Sequence, residues 1–245
     1  MFECFNNILV SCPNGGGLFL VNDRNVHRLD SLDSTGLALR ERTLVRGIQP
    51  ALVVVYQTAS FDVNPTSIAF GDIHDVLIDG DSLYLVSTSS NEIVQFNFGG
   101  VELERWKFSD EEDSWHINSI EKWNGRVVFS AFGEFREHRG YKGTSAGSGF
   151  VQDLHSGERL IEGLSQPHSL TACGEDLLLA NSENMELMRF DRNGQLLKSK
   201  ILDGYVRGVH LDAGYIFVGL SRSRNLSDGT VQTATIVALD AETWD

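Results

Sequence analysis

Apolar residues in this chain either alternate with polar ones or run in clusters of four to six, and they do not recur at the spacing of a long amphipathic helix. ILVSC, GLFLV, ALVVVY, SLYLVS, RVVFSAF, DLLLAN and YIFVGL are such clusters. β-Branched and aromatic residues dominate them, and Gly, Asn, Asp or Ser stand at their ends, so the pattern predicts many short strands joined by tight turns.

The strands repeat as a group. HDVLIDGDSLYLVSTSSNEIVQFN (74–97) aligns without a gap on HSLTACGEDLLLANSENMELMRFD (168–191). Each reads as strand, Gly-acidic turn, strand, Ser/Asn turn, strand, and a fourth strand follows, VELERWKF (101–108) or GQLLKSKI (194–201). Four short antiparallel strands per unit make a propeller blade. The frame recurs at NSIEKWNGRVVFSAF (118–132) and RGVHLDAGYIFVGLS (207–221), with partner strands GFVQDL (149–154) and TATIVALD (233–240) after insertions.

Upstream, ILVSC, GLFLVND and LALRERTL supply a blade that begins at its second strand, and RGIQPALVVVYQT with TSIAF a shorter, degenerate one. The expected fold is therefore an all-β propeller of six four-stranded blades, five being the alternative, in a single domain spanning 1–245. Pairing of the N- and C-terminal strands, with TIVALDAETWD as the C-terminal contributor, would close the ring and remove an open sheet edge.

Composition fits that reading. A chain of 245 residues with 41% hydrophobic residues, 24 glycines and four prolines can bury a core while turning often. The net charge of −14 repels phosphate backbones and anionic membranes, so neither nucleic acid nor a membrane is expected as a partner. Cys4, Cys12 and Cys173 show no metal-ligand spacing and leave an odd thiol, which fits a reducing compartment. With no signal-like N-terminus and no long apolar span, a cytoplasmic protein is expected.

In a propeller the first strand of each blade lines the channel, so equivalent first-strand residues converge on the axis. Counting nine residues back from the first apolar position of the second strand gives His74, Asn118, His168 and Arg207. Four polar residues at one position suit a small anion, with Arg207 binding a carboxylate or phosphate and a histidine free for proton transfer. Such residues also serve simply to hold ordered water and blade edges. His116 and Asp72 stand two residues before Asn118 and His74.

A looser alignment makes His74, His116, His168 and His210 a four-histidine ring, which would suit iron, zinc or copper. The stricter register puts an arginine at one corner, and a fixed cation disfavours a metal there. No cofactor is required by the sequence, and a divalent metal is the alternative. The inserted loop 131–149 carries Arg136, His138, Arg139, Tyr141 and Lys142 on an acidic chain and reads either as a lid or as a solvated loop. Arg222 and Arg224 add charge near a rim. GGG at 15–17 is a hairpin turn and not a phosphate loop, and Ser165, Ser169 and Ser221 lack a nucleophile-elbow context.

IHDV (73–76), WHINSI (115–120), GLSQPHSL (163–170) and VRGVHLDAGYIFVGLSRSR (206–224) resemble an uncharacterised bacterial propeller family, classed as a domain of unknown function, over roughly residues 70–225. Its signatures are His-Asp, His-x-Asn-Gly, Pro-His-Ser, and Arg-Gly followed by a Phe-Val-Gly-Leu-Ser strand. They fall on His74, Asp75, His116, Asn118, Pro167, His168, Ser169, Arg207, Gly208 and Ser221, with Ser119 where the pattern has Gly. The resemblance implies no established activity, and lactonase-like and streptogramin-lyase-like propellers are similar in shape alone.

The residues then support an expectation of an enzyme of lyase, isomerase or hydrolase type acting on a small anionic metabolite. His74, His168 and His116 are the candidate catalytic groups; Arg207, Asn118, Asp75, Ser169 and Ser221 are the candidate binding groups. A non-catalytic module that captures a ligand, or a protein partner at a propeller mouth, is the alternative, as is a metalloprotein.

Overall fold

The computed structural model describes residues 4–23, 25–60, 62–67, 71–222 and 234–245. Among them are 22 strands and one short 3-10 turn. The strands form six sheets, each in chain order, and the fold is a six-bladed β-propeller. Two compact units make up the chain: Met1–Ile120 with Phe135–Arg139, and Glu121–Glu134 with Gly140–Asp245.

The first sheet comprises β1 (Ile8–Cys12), β2 (Gly17–Asn22) and β3 (Asn25–Asp30). The second holds β4 (Ser34–Arg40), β5 (Thr43–Ile48), β6 (Leu52–Gln57) and β7 (Asp62–Ser67), and the third β8 (Ile73–Asp79), β9 (Ser82–Ser87), β10 (Glu92–Asn97) and β11 (Glu102–Lys107). The fourth runs from β12 (Ile117–Trp123) through β13 (Arg126–Ala131) and β14 (Gly149–Asp153) to β15 (Arg159–Leu164). The fifth is β16 (Pro167–Cys173), β17 (Asp176–Asn181), β18 (Glu186–Phe190) and β19 (Leu196–Ile201), and the last β20 (Tyr205–Asp212), β21 (Tyr215–Ser221) and β22 (Thr235–Asp240).

Burial follows strand position. Second strands are apolar on both faces and almost wholly buried, as in β9, β13 and β17, because sheets cover them on each side; the outermost strands β7, β11 and β19 are largely exposed. Within the first unit Val45, Val53, Ile73, Val76, Leu85 and Val94 form one core. In the second unit the clusters gather around Val128, Val151 and Leu177, and around Leu187, Val218 and Trp244. The hairpin between β12 and β13 turns on Asn124 and Gly125, both with positive φ (49° and 79°), as a two-residue primed turn demands.

The N-terminal blades differ from expectation. LALRERTL does not belong to the first blade: its residues end β4 and begin β5, and the second blade has four strands instead of being degenerate. Two strands escape the sequence pattern because they carry little apolar signal. NVHRLD (β3) and DVNPTS (β7) are almost fully exposed edge strands, and an edge is where a strand tolerates Pro65. Residues 68–70 of the TSIAF run, and Arg224, lie outside the described residues.

Among the described residues, the C-terminal segment TIVALDAETWD lies in the last sheet and the turn after it. β22 pairs with β21 as the third strand of its own sheet, Ile216 opposite Leu239 and Val218 opposite Val237. The residues after it are held in the same unit. Asp240 caps the turn by accepting from the Glu242 and Thr243 N–H groups, and Trp244 is 1% exposed in the core with Leu239. Apolar burial there leaves this segment committed to its own sheet.

A buried ion pair joins the first two sheets. Arg46 on β5, 1% exposed, donates to both oxygens of Asp30 at the end of β3 (2.6 and 2.8 Å) and through Nε to Ser34 Oγ (2.7 Å). That guanidinium holds the Asp30 carboxyl down at about 2, against the opposing pull of burial.

Candidate functional site

The starts of the first strands share a construction. A hydroxyl reaches from one sheet to a main-chain carbonyl of the next: Thr35 to Ile73, Thr88 to Ile117 (2.5 Å), Ser130 to Pro167 (3.3 Å) and Ser182 to Val206 (2.5 Å). The accepting residue always immediately precedes His74, Asn118, His168 or Arg207. The backbone is irregular at these points too. Pairing slips between Ile73 and Asp75, between His168 and Leu170, and between Val206 and Val209, so His74, Ser169 and Arg207 stand at β-bulges, which re-aim side chains. Asp72, His116 and Gln166, each two residues before a register position, have left-handed φ of 58°, 48° and 52°. Such non-glycine conformations persist only where surroundings over-determine them.

In the first unit the bends gather two imidazoles and two aspartates. The rings of His74 and His116 meet edge to face, 5.4 Å between centroids. His74 Nδ1 faces Asp72 Oδ1 at 3.3 Å, and His116 Nδ1 faces Asp113 Oδ1 at 2.6 Å. Asp113 is 2% exposed, and its other oxygen accepts from Arg139 Nε at 2.6 Å. Burial pushes the His116 imidazole below its ordinary value, although the bond to Asp113 works upward. Burial also acts on Asp72 upward, but the hydrogen bond and charge of His74 prevail and hold that carboxyl low. The Nδ2 of Asn118, two residues beyond His116, is buried without a hydrogen-bond partner among the described residues. A buried donor left unpaired costs about 1–3 kcal/mol, so it is the kind of atom a ligand oxygen satisfies.

Asp75, expected to bind substrate, spends its oxygens within the fold. Oδ2 accepts from Ser119 Oγ (2.8 Å) and Ile120 N (3.0 Å), tying β8 to β12, and Oδ1 from Val76 N (2.9 Å). Burial raises its carboxyl to about 6 in spite of these donors. The folded value exceeds the roughly 3.9 of an unfolded aspartate, so Asp75 favours folding fully below pH about 4 and loses that advantage as pH rises through about 6. The expected result is that the wild type loses melting temperature relative to Asp75→Asn between pH 4 and 7. Paired thermal melts at the two pH values check it, and a constant difference refutes it.

In the second unit His168, 7% exposed, meets Arg207: Arg207 Nη1 lies 3.0 Å from His168 Nε2. A guanidinium only donates, so Nε2 accepts, and the ring is the neutral tautomer carrying its proton on Nδ1. That Nδ1 faces the Gln166 carbonyl (2.9 Å) and Ser182 Oγ (2.8 Å). Both ring nitrogens are thereby engaged, which leaves His168 poorly placed as a general base. Arg207 also donates through Nε to Ser221 Oγ (3.1 Å) and lies 4.4 Å over the Tyr205 ring, whose hydroxyl donates to Gln166 Oε1. Ser169 receives the Val209 N–H (2.9 Å) and so ties β16 to β20.

The inserted loop is anchored. In the first unit His138 Nδ1 bonds the Glu112 carbonyl (2.9 Å) and Arg139 holds Asp113; in the second, Tyr141 is buried against Phe132 and Ser145 bonds Glu183 and Gln166. His210 is exposed, opposite Phe217 in the β20–β21 ladder, and among the described residues no group of three or more His, Cys, Asp or Glu is arranged to hold a metal ion. Among the described residues no helix is long and apolar enough to cross a membrane.

The sequence pattern does not single out Asp113, Ser182, Gln166 or Tyr205. For Ser182 a signal exists: in the gapless repeat it aligns with Thr88, the hydroxyl that performs the same reach.

Solved structures share the fold. The chain matches a chain of the nidogen/laminin complex (TM-score 0.68, 11% identity, 95% of this chain and 88% of that one) and streptogramin B lyase (0.59, 11%, 90% and 74%). It also matches the calcium-binding protein regucalcin of Agrobacterium tumefaciens (0.55, 15%, 76% and 67%). At these identities the likeness is one of fold. No curated protein sequence matches. The profile of the Domain of unknown function (DUF4915) family covers residues 63–240, which takes in every register residue described above, and the chain belongs to that family.

Proposed function

We propose that this protein is an enzyme of lyase or isomerase type that moves a proton on a small anionic metabolite, using His74 and His116 as its acid–base pair. The observation that supports this is the pair itself: two imidazoles in ring contact, each with Nδ1 turned to an aspartate. A carboxylate at Nδ1 fixes the tautomer and leaves Nε2 as the basic nitrogen. Among the described residues no hydrogen bond engages His74 Nε2. One imidazole removes a proton and its neighbour returns one, while the unpaired Asn118 amide donates to the oxygen on which charge develops. The likeness to streptogramin B lyase supplies a fold on which lyase chemistry occurs and nothing finer.

Hydrogen exchange tests this whatever the product is. Incubated in D2O with a panel of small hydroxy, keto and sugar acids, the wild type is expected to exchange a carbon-bound hydrogen next to the carboxylate of one member, read by proton NMR. Ligand binding without exchange for any member would make the protein a binding module, and neither binding nor exchange would sink the reading.

A further inference from the structure

We propose that Arg139, from the inserted loop, is a positioning residue for the His74–His116 pair, acting through Asp113. This inference rests on the acid–base reading of that pair. Asp113 is almost fully buried and divides its carboxylate: Oδ1 to His116 Nδ1, Oδ2 to Arg139 Nε, both at 2.6 Å. A buried carboxylate facing one imidazole alone would pull a proton onto it strongly; a guanidinium on the opposite oxygen takes up part of that charge. The main chain fixes the same contact, since the Arg139 N–H donates to the Asp113 carbonyl (3.2 Å) and His138 bonds the carbonyl of Glu112. The Arg139 side chain is 48% exposed, and its Nε donates to the buried Asp113 carboxylate.

Among the described residues the titratable and charged groups that act on His116 include Asp113 from its own segment, His74 on β8 and Asp72 just before it, with Arg139 standing behind Asp113. His74 and Arg139 oppose a proton on His116, whereas Asp72 and Asp113 favour it. Removing Arg139 therefore tips the balance toward the charged imidazole, without touching either ring.

The experiment is an NMR titration of the His116 ring in the full chain, assigned by loss of its signal in His116→Asn. Arg139→Ala is expected to move the His116 midpoint upward by about one pH unit, the lower end of what a close charge does. Arg139→Lys, which keeps the cation, should return it toward the wild-type value, and Arg136→Ala on the same loop should leave it alone. An unchanged His116 midpoint in Arg139→Ala overturns the proposal, as does an equal shift in Arg136→Ala. If Arg139→Ala does not fold, Arg139→Gln carries the same comparison. No substrate enters the readout, so a protein that exchanges no carbon-bound hydrogen can still show the shift, and the two ideas fail separately.

Discussion

Asp30→Ala is expected to destabilise the protein by about 3 kcal/mol, more than Arg46→Met does. Breaking a buried ion pair from one side costs about 3–5 kcal/mol because a charge is stranded. Here the stranded group is Arg46, at 1% exposure, while the Asp30 side chain is 32% exposed and partly hydrated, which places the cost near the lower end. In Arg46→Met the aspartate left behind can complete its hydration, and the methionine fills most of the space of the stem. The pair also sets an acid limit. Asp30 titrates at about 2 when folded and about 3.9 when unfolded, so its contribution is complete above pH about 4 and is lost as pH falls toward 2. Denaturant melts of the two variants check the asymmetry, and a more damaging Arg46→Met would refute it.

Removing either imidazole of the first unit should abolish the proposed chemistry while leaving the fold in place. General acid–base groups contribute about 10²–10⁴ in rate, so His74→Asn and His116→Asn are each expected to slow hydrogen exchange on the responsive acid by at least 10²-fold. Groups that act as a unit are not additive, and the double variant should be little slower than the worse single one. The acid limb carries a further signature. Burial lowers the His116 value, so the part of the rate that depends on neutral His116 should be lost at a lower pH than an ordinary imidazole would give. Full exchange in His74→Asn, with an unchanged melting temperature, would remove that residue from the mechanism.

The sheets from β8 onward were legible because second strands such as β9 and β17 are buried on both faces, and apolar runs between Gly and Asn turns survive as a gapless repeat. The N-terminal blades were not, since β3 and β7 are read as strands only through their ladders with β2 and β6. The register positions were legible for a related reason: a fixed turn keeps the first strand in step with the second. Their partners were hidden. Asp113 and Arg139 are far apart in sequence and meet through loop backbone that no periodicity describes, and Asp75 reads as a ligand until Ser119 and Ile120 are seen to consume it. The tautomer of His168 likewise follows only from the proximity of Arg207.

The hydroxyls that stitch successive sheets do so by gripping carbonyl oxygens, and the gripped residues are Ile73, Ile117, Pro167 and Val206. Even proline serves, because it lacks an N–H but keeps its acceptor. Structural seam and reactive position are thus neighbours on the chain, and at Ser182 the two touch, since the hydroxyl that grips Val206 also faces His168 Nδ1, so a change of chemistry at position 168 would have to respect the seam.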